Sequence, residues 1–442
     1  MTMRIIGHSA LLLGLAFAIA GCDDLSGLNP FMKKPAKAPG ERHAFLEPAR
    51  IAGPEGGAPK SVALPAAQLN AEWTQPGGNA ANAPGHLALG KGGWRVSALE
   101  VHRSAIDASL GRAGTIRPSI GPLVYQGRVY VFDRGRSVAA HSLDSGGRIW
   151  SAGLDSQATA GGGIAAGDGR VYAVTGHRRA VALDAGTGQV LWSRELPLPA
   201  RGAPTYAQGR LYFVTVNNTV MALGGQDGKD VWSYRGLPET AGVLSSASPA
   251  AVGNLVFVPF SSGEIVALDA AKGTPKWSDS LSSGVKFTAI GGLGAVAARP
   301  VVDRGTVYAV SVAGKLSALN ESTGQQIWTQ PVASAATPAV VGDTIFVVDL
   351  SGNALALDRA SGKVRWSTEL PKDGKHAARW TSPLLAGGRV WTGSSSGKLV
   401  GLDPSTGQIA ETRNVGEGVA TAPIAASGRM LVLGESGTLS AF

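Results

Sequence analysis

The sequence is poor in the residues that most often carry chemistry. Cys22 is the single cysteine among 442 residues, which excludes an internal disulfide framework and any zinc site built from paired thiolates. The seven histidines (His8, His43, His86, His102, His141, His177 and His376) stand singly, with no His-x-x-x-His pair to share a metal. Charged residues make up only 16% of the chain, and the net charge of +9 is dispersed, with no run of five basic residues. That pattern argues against a nucleic-acid partner. No phosphate-binding glycine loop ending in Lys-Ser or Lys-Thr occurs. Gly393-Ser-Ser-Ser-Gly397 has the Gly-x-Ser-x-Gly form, but it falls at a turn between strands, not at the strand-to-helix elbow a nucleophile needs. The expectation is a non-enzyme with no catalytic, metal or cofactor site. The apolar run at residues 10–20 is too short to span a membrane comfortably.

What is present in quantity is glycine, 62 residues, and it recurs at fixed places. Ala356-Leu-Asp-Arg-Ala-Ser-Gly-Lys-Val-Arg-Trp366 repeats as Ala182 to Trp192, Ala222 to Trp232, Ala267 to Trp277 and Ala318 to Trp328. A shorter form ends at Trp150, and a seventh, from Gly401, carries Glu411 where tryptophan is expected. The unit around residues 299–329 reads as four short antiparallel strands joined by tight turns, about 40 residues in all, which is the pattern of a propeller blade. The C-terminal unit stops one strand short. Residues 71–74 carry Trp73 in an outer-strand context, and the expectation is that they complete the last blade. The fold class is therefore all-β, an eight-bladed propeller closed by an N-terminal strand. Trp73, Trp150, Trp192, Trp232, Trp277, Trp328 and Trp366 are expected to pack between blades. The repeated Leu-Asp is expected to serve turns, not catalysis.

The N-terminus has a different character. Arg4, the apolar run and Ile19-Ala20-Gly21-Cys22 resemble a bacterial lipoprotein signal, with cleavage before Cys22 and acylation of its sulfur and new amino group. The domains expected are a signal peptide at 1–21, a Pro/Ala/Gly-rich tether at 22–65 and the propeller at 66–442. Asp23 resembles an inner-membrane retention signal, set against an outer-membrane, periplasm-facing location.

Long insertions fall in the connections between blades, at residues 75–118, 193–203, 278–298 and 367–381. They bring arginine, leucine and aromatic residues, among them Trp94, Arg95, Leu198, Arg201, Arg299 and Trp380, in the composition of a protein-contact patch.

The Ala-Leu-Asp-x-x-Thr-Gly-x-x-x-Trp repeat resembles the pyrroloquinoline-quinone propeller repeat, whose family includes quinoprotein dehydrogenases. Joined to the lipoprotein signal, it resembles the BamB-type lipoproteins of outer-membrane protein assembly. That resemblance implies a non-enzymatic scaffold that binds the periplasmic domains of the BamA insertase and assists unfolded outer-membrane proteins. It implies contact roles for Leu198, as an apolar anchor, and Arg201, as a charged contact; Arg299 is expected as a further contact from the composition of its connection. The family's acidic pair before a Pro-Val-Val strand is replaced here by Ala295 and Ala297, ahead of Pro300. A quinoprotein dehydrogenase and a polysaccharide-binding propeller stand as alternatives.

Overall fold

The computed structural model describes residues 62–90, 92–98, 120–157, 159, 161–238, 247–281, 296–373 and 378–442, and every regular element in them is a β-strand. All belong to a unit spanning Ala49–Phe442; the unit Met1–Pro48, with Cys22 and Asp23, lies outside the described residues. No helix among the described residues is long and apolar enough to cross a membrane. The strands form eight four-stranded antiparallel sheets, seven of them meanders of consecutive strands. They are the eight blades of a propeller. Blades 1 to 7 occupy residues 123–153, 162–195, 205–235, 250–280, 301–330, 339–369 and 384–414 in order. The second and third strands of each blade are buried nearly throughout, because neighbouring sheets cover both faces. The outer strands alternate exposed and half-buried residues, as expected of a strand with one wet face.

The repeat motif interlocks consecutive blades. Within a blade, its alanine lies directly opposite its tryptophan, as Ala182 does opposite Trp192. A register shift follows between Ala182 and Leu183, and the same bulge recurs at Ala267/Leu268 and Ala356/Leu357. Asp184 Oδ1 accepts the amides of Gly186 and Thr187 at 3.0 and 2.8 Å and so holds the turn. The glycine serves the preceding blade. A Cβ on Gly273 would lie 2.5 Å from the indole of Trp232, and φ there is +70°. Trp232 Nε1 also donates to Ala270 O, 3.0 Å away in that same turn. Each tryptophan thus closes over the next blade's turn, its ring on a glycine and its N–H on a carbonyl.

The closing strand differs from the expectation. Arg95–Ser97, not residues 71–74, pairs with Thr438–Ala441 and supplies the fourth strand of blade 8. Trp94 takes the staple position: its Nε1 donates to Leu143 O at 2.9 Å, and its ring lies against Gly146 of blade 1. This closure explains Glu411. Blade 8 breaks between its third and fourth strands, so no 3–4 turn exists there for a blade 7 tryptophan to cover. Instead the Arg413 guanidinium stacks over Trp391 and Phe442, at 5.0 and 5.5 Å from their centroids, and pairs with Glu411 at 2.7 Å.

Trp73, expected on an outer strand, lies at the centre of the ring. Residues 70–90 make a circuit of its underside, along the free edges of the inner strands. A residue of the inner strand is hydrogen-bonded to this circuit in seven of the eight blades. Val124 bonds Trp73, Ala166 bonds Thr74, Ala251 bonds Ala80, Val302 bonds Ala81 and Leu385 bonds Leu87 through the main chain. Gln75 exchanges two side-chain bonds with Tyr206, and Asn70 donates to Ala425 O. Trp73, Gln75, Asn82 and Leu87 are all buried. The circuit satisfies edges that would otherwise stay open and fills the lower end of the central channel. This part of the insertion at 75–118 therefore lies opposite the face where the connections between blades emerge. Val62 and Leu64, at the end of the expected tether, pack against the core of blades 6 and 7.

Candidate partner-binding face

The connection from blade 2 to blade 3 is fixed on both sides. Leu196 is buried and its N–H donates to Arg178 O. Ala200 N donates to Thr175 O, at the end of the second strand of blade 2, and Arg201 N donates to Val214 O. Val216 N donates to Pro199 O. These bonds raise Pro197-Leu198-Pro199 on the face that carries the connections, leaving Leu198 half-buried. Val216 and Leu237 beside it are 44% and 57% exposed. Three apolar residues thus stand on neighbouring backbone segments that are tied together by hydrogen bonds.

Beneath them lies Arg201, only 3% exposed. Its Nη1 donates to Asn218 Oδ1 at 3.1 Å and its Nη2 to Pro259 O at 2.7 Å. Asn218 adopts a φ of +61° where several other blades place glycine in the same turn. Its Oδ1 also accepts Ser261 Oγ at 2.8 Å, and its Nδ2 donates to Leu237 O at 3.1 Å. The guanidinium therefore braces blade 3 to blade 4 and sets the height of the apolar patch.

Arg299 is elsewhere. It starts blade 5 and lines a central cavity of about 660 Å³ on the same face, together with Arg379, Trp380, Asp349 and Glu435. The structure places Leu198 and Arg201 in one connection and puts Arg299 apart from them, in the central cavity. Trp94 and Arg95, expected in a contact loop, belong to the closing strand. Arg103 and Phe287, two further residues of the expected contact loops, lie outside the described residues. Val216, Asn218 and Leu237 were not singled out from the sequence. The available signal was Val216-Asn-Asn218 in a turn where blades 6, 7 and 8 read Ser-Gly.

Among the described residues no three side chains of His, Cys, Asp or Glu gather to hold a metal ion. Of the two acids on the central cavity, Asp349 accepts from Asn353 and Glu435 pairs with Arg379. This donor set does not fit a metal–quinone centre.

Comparison with known proteins adds the family. The family model described as outer membrane protein assembly factor BamB matches residues 134–368 and 355–442. The assembly factor BamB of Shigella dysenteriae is 30% identical over 346 residues, covering 76% of this chain and 87% of that protein. Its Escherichia coli counterpart is 29% identical over 346 residues, with the same coverage of 76% and 87%. The crystal structure of BamB from Moraxella catarrhalis matches with a TM-score of 0.66 at 20% identity, over 79% of this chain and 98% of that one. A europium-containing methanol dehydrogenase matches with a TM-score of 0.65 at 15% identity, over 82% of this chain and 89% of that one, which is a likeness of fold alone. With its repeats, its closed eight-bladed ring and a family match over most of its length, this chain belongs to the outer membrane protein assembly factor BamB family.

Proposed function

We propose that this protein is a non-enzymatic outer-membrane assembly factor, held on the periplasmic side of the outer membrane by lipid on Cys22. Its connection-bearing face binds the periplasmic domains of a BamA-like insertase and there assists unfolded outer-membrane proteins. The observation that carries this reading is the patch of Leu198, Val216 and Leu237 standing on the Arg201–Asn218 brace. Exposed apolar side chains on a rigid support are inexpensive to dock, because little side-chain or loop freedom remains to be lost. Leu198 is the anchor, and Arg201 acts by positioning it. Family membership supports the assembly role, and the sequence at Cys22 supports the anchor.

The test is affinity purification of the full-length protein from detergent-solubilised membranes. Wild type should recover the insertase. A Leu198→Asp/Val216→Asp variant, folded by circular dichroism, should recover at least tenfold less, as expected for charges placed within an apolar contact. Equal recovery would remove this patch from the interface.

A further inference from the structure

The inner strands are entered through a residue that precedes proline in seven blades: Gly121, Ala203, Ser248, Arg299, Thr337, Ser382 and Ala422. Six of these are small. Gly121, Arg299, Thr337, Ser382 and Ala422 line the central cavity, so Arg299 is the one long, charged side chain set in that ring. Its main-chain N–H donates to Thr337 Oγ1 at 3.2 Å. Its guanidinium has no hydrogen bond or ion pair among the described residues, and its Nε is buried without an acceptor. Water reaches part of the side chain, yet the surrounding protein is dense enough that burial alone pushes its pKa down to about 10. The acids of the cavity do not compensate it, since Asp349 and Glu435 have the partners given above.

Two further unsatisfied donors share its surroundings. Thr421 lines the same cavity, and Trp73 lines a neighbouring space of about 40 Å³ that Arg299 also lines. Buried donors without acceptors are uncommon, and a cation in dense surroundings is favoured by a counter-ion. Unsatisfied donors lining the same spaces as an unpaired guanidinium leave room for an acceptor the chain does not itself supply.

We infer that the central cavity binds an organic carboxylate, with the Arg299 guanidinium as its counter-ion. The fork of N–H groups on arginine matches a carboxylate in shape and charge. A monoanion neutralises Arg299; a phosphate dianion would leave one negative charge over, on a wall that already holds Asp349. Ile120, Val348, Val419 and Ile424 line the rest and suit an apolar ligand body. The site is separate from the Leu198 patch, so its failure leaves the proposed function untouched.

The experiment is calorimetric titration and thermal melting of the full-length protein in detergent with benzoate and hexanoate, and in separate arms with phosphate and chloride. Saturable binding and stabilisation by at least one carboxylate is expected, at least tenfold weaker in Arg299→Gln and several-fold weaker in Thr421→Val. Without ligand, Arg299→Gln should melt at or above wild type, because it removes an uncompensated charge. Three results would each overturn the assignment. They are carboxylate binding that is absent or unchanged in Arg299→Gln, phosphate or chloride binding as tightly as any carboxylate, and an Arg299→Gln protein that melts well below wild type.

Discussion

Trp94 donates its indole N–H to the main-chain oxygen of Leu143, 2.9 Å away, and so joins the last blade to the first. The break in the chain around the ring lies inside blade 8, between Thr438–Ala441 and Arg95–Ser97, and Trp94, next to that closing strand, seats it on blade 1. Trp94→Ala should lower stability by about 3–5 kcal/mol, the usual cost of deleting a packed tryptophan. Glu411→Ala, at the position where the staple is absent, should cost less than about 1 kcal/mol. Urea unfolding midpoints of the two variants check the contrast.

The repeat glycines separate into two kinds. Gly273 has a positive φ and an indole 2.5 Å from where its Cβ would be, whereas Gly305 has a φ of +75° and open space around it. Gly273→Ala should cost about 2–4 kcal/mol, combining backbone strain with overpacking. Gly305→Ala should cost about 1–2 kcal/mol from the backbone alone. Equal shifts in melting temperature would show that the ring contact contributes nothing.

Acid should loosen the turns. The hydroxyl and amide of Thr187 hold the Asp184 carboxyl below the usual aspartate range, and the amide of Lys272 does the same first for Asp269. A carboxyl with a depressed folded pKa contributes stability above its unfolded value, near 3.9, and loses it as pH falls through the folded value. Stability should therefore hold above about pH 5 and decline as pH falls through 4 and below. Asn320 occupies the same position in blade 5 and accepts the amides of Ser322 and Thr323 at 3.0 Å each. An Asp184→Asn/Asp269→Asn variant should keep its turns and show a shallower acid limb in melts from pH 3 to 7.

The contact face makes two different demands. Leu198→Asp should reduce insertase capture while leaving the melting temperature nearly unchanged. Arg201→Ala should cost about 2–3 kcal/mol, because Asn218 Oδ1 and Pro259 O lose a charged donor inside the protein. Capture and thermal melts measured side by side distinguish the anchor from its support.

The architecture was legible because its information is local. Leu, Asp, Gly and Trp lie within one hairpin, so each copy announces itself. Closure was legible only as a need. Residues 71–74 look like an outer strand, yet a strand of three residues has no signature of its own, and pairing with Thr438–Ala441 decides the matter. The circuit at residues 70–90 was invisible because it works through main-chain bonds from irregular backbone to strands as far off as Ala425. At the site, the position of Arg201 was readable, but its burial was not, since that depends on Asn218 and on Pro259 in the next blade.

The underside circuit has a topological consequence. With Trp73 and its neighbours filling the bottom of the ring, the central space is a blind vestibule, not a tunnel. A molecule entering the central cavity from the face bearing Arg379 and Trp380 meets a floor built from Trp73 and Pro76 of the N-terminal circuit, so that floor is a second, chain-terminal wall of the site.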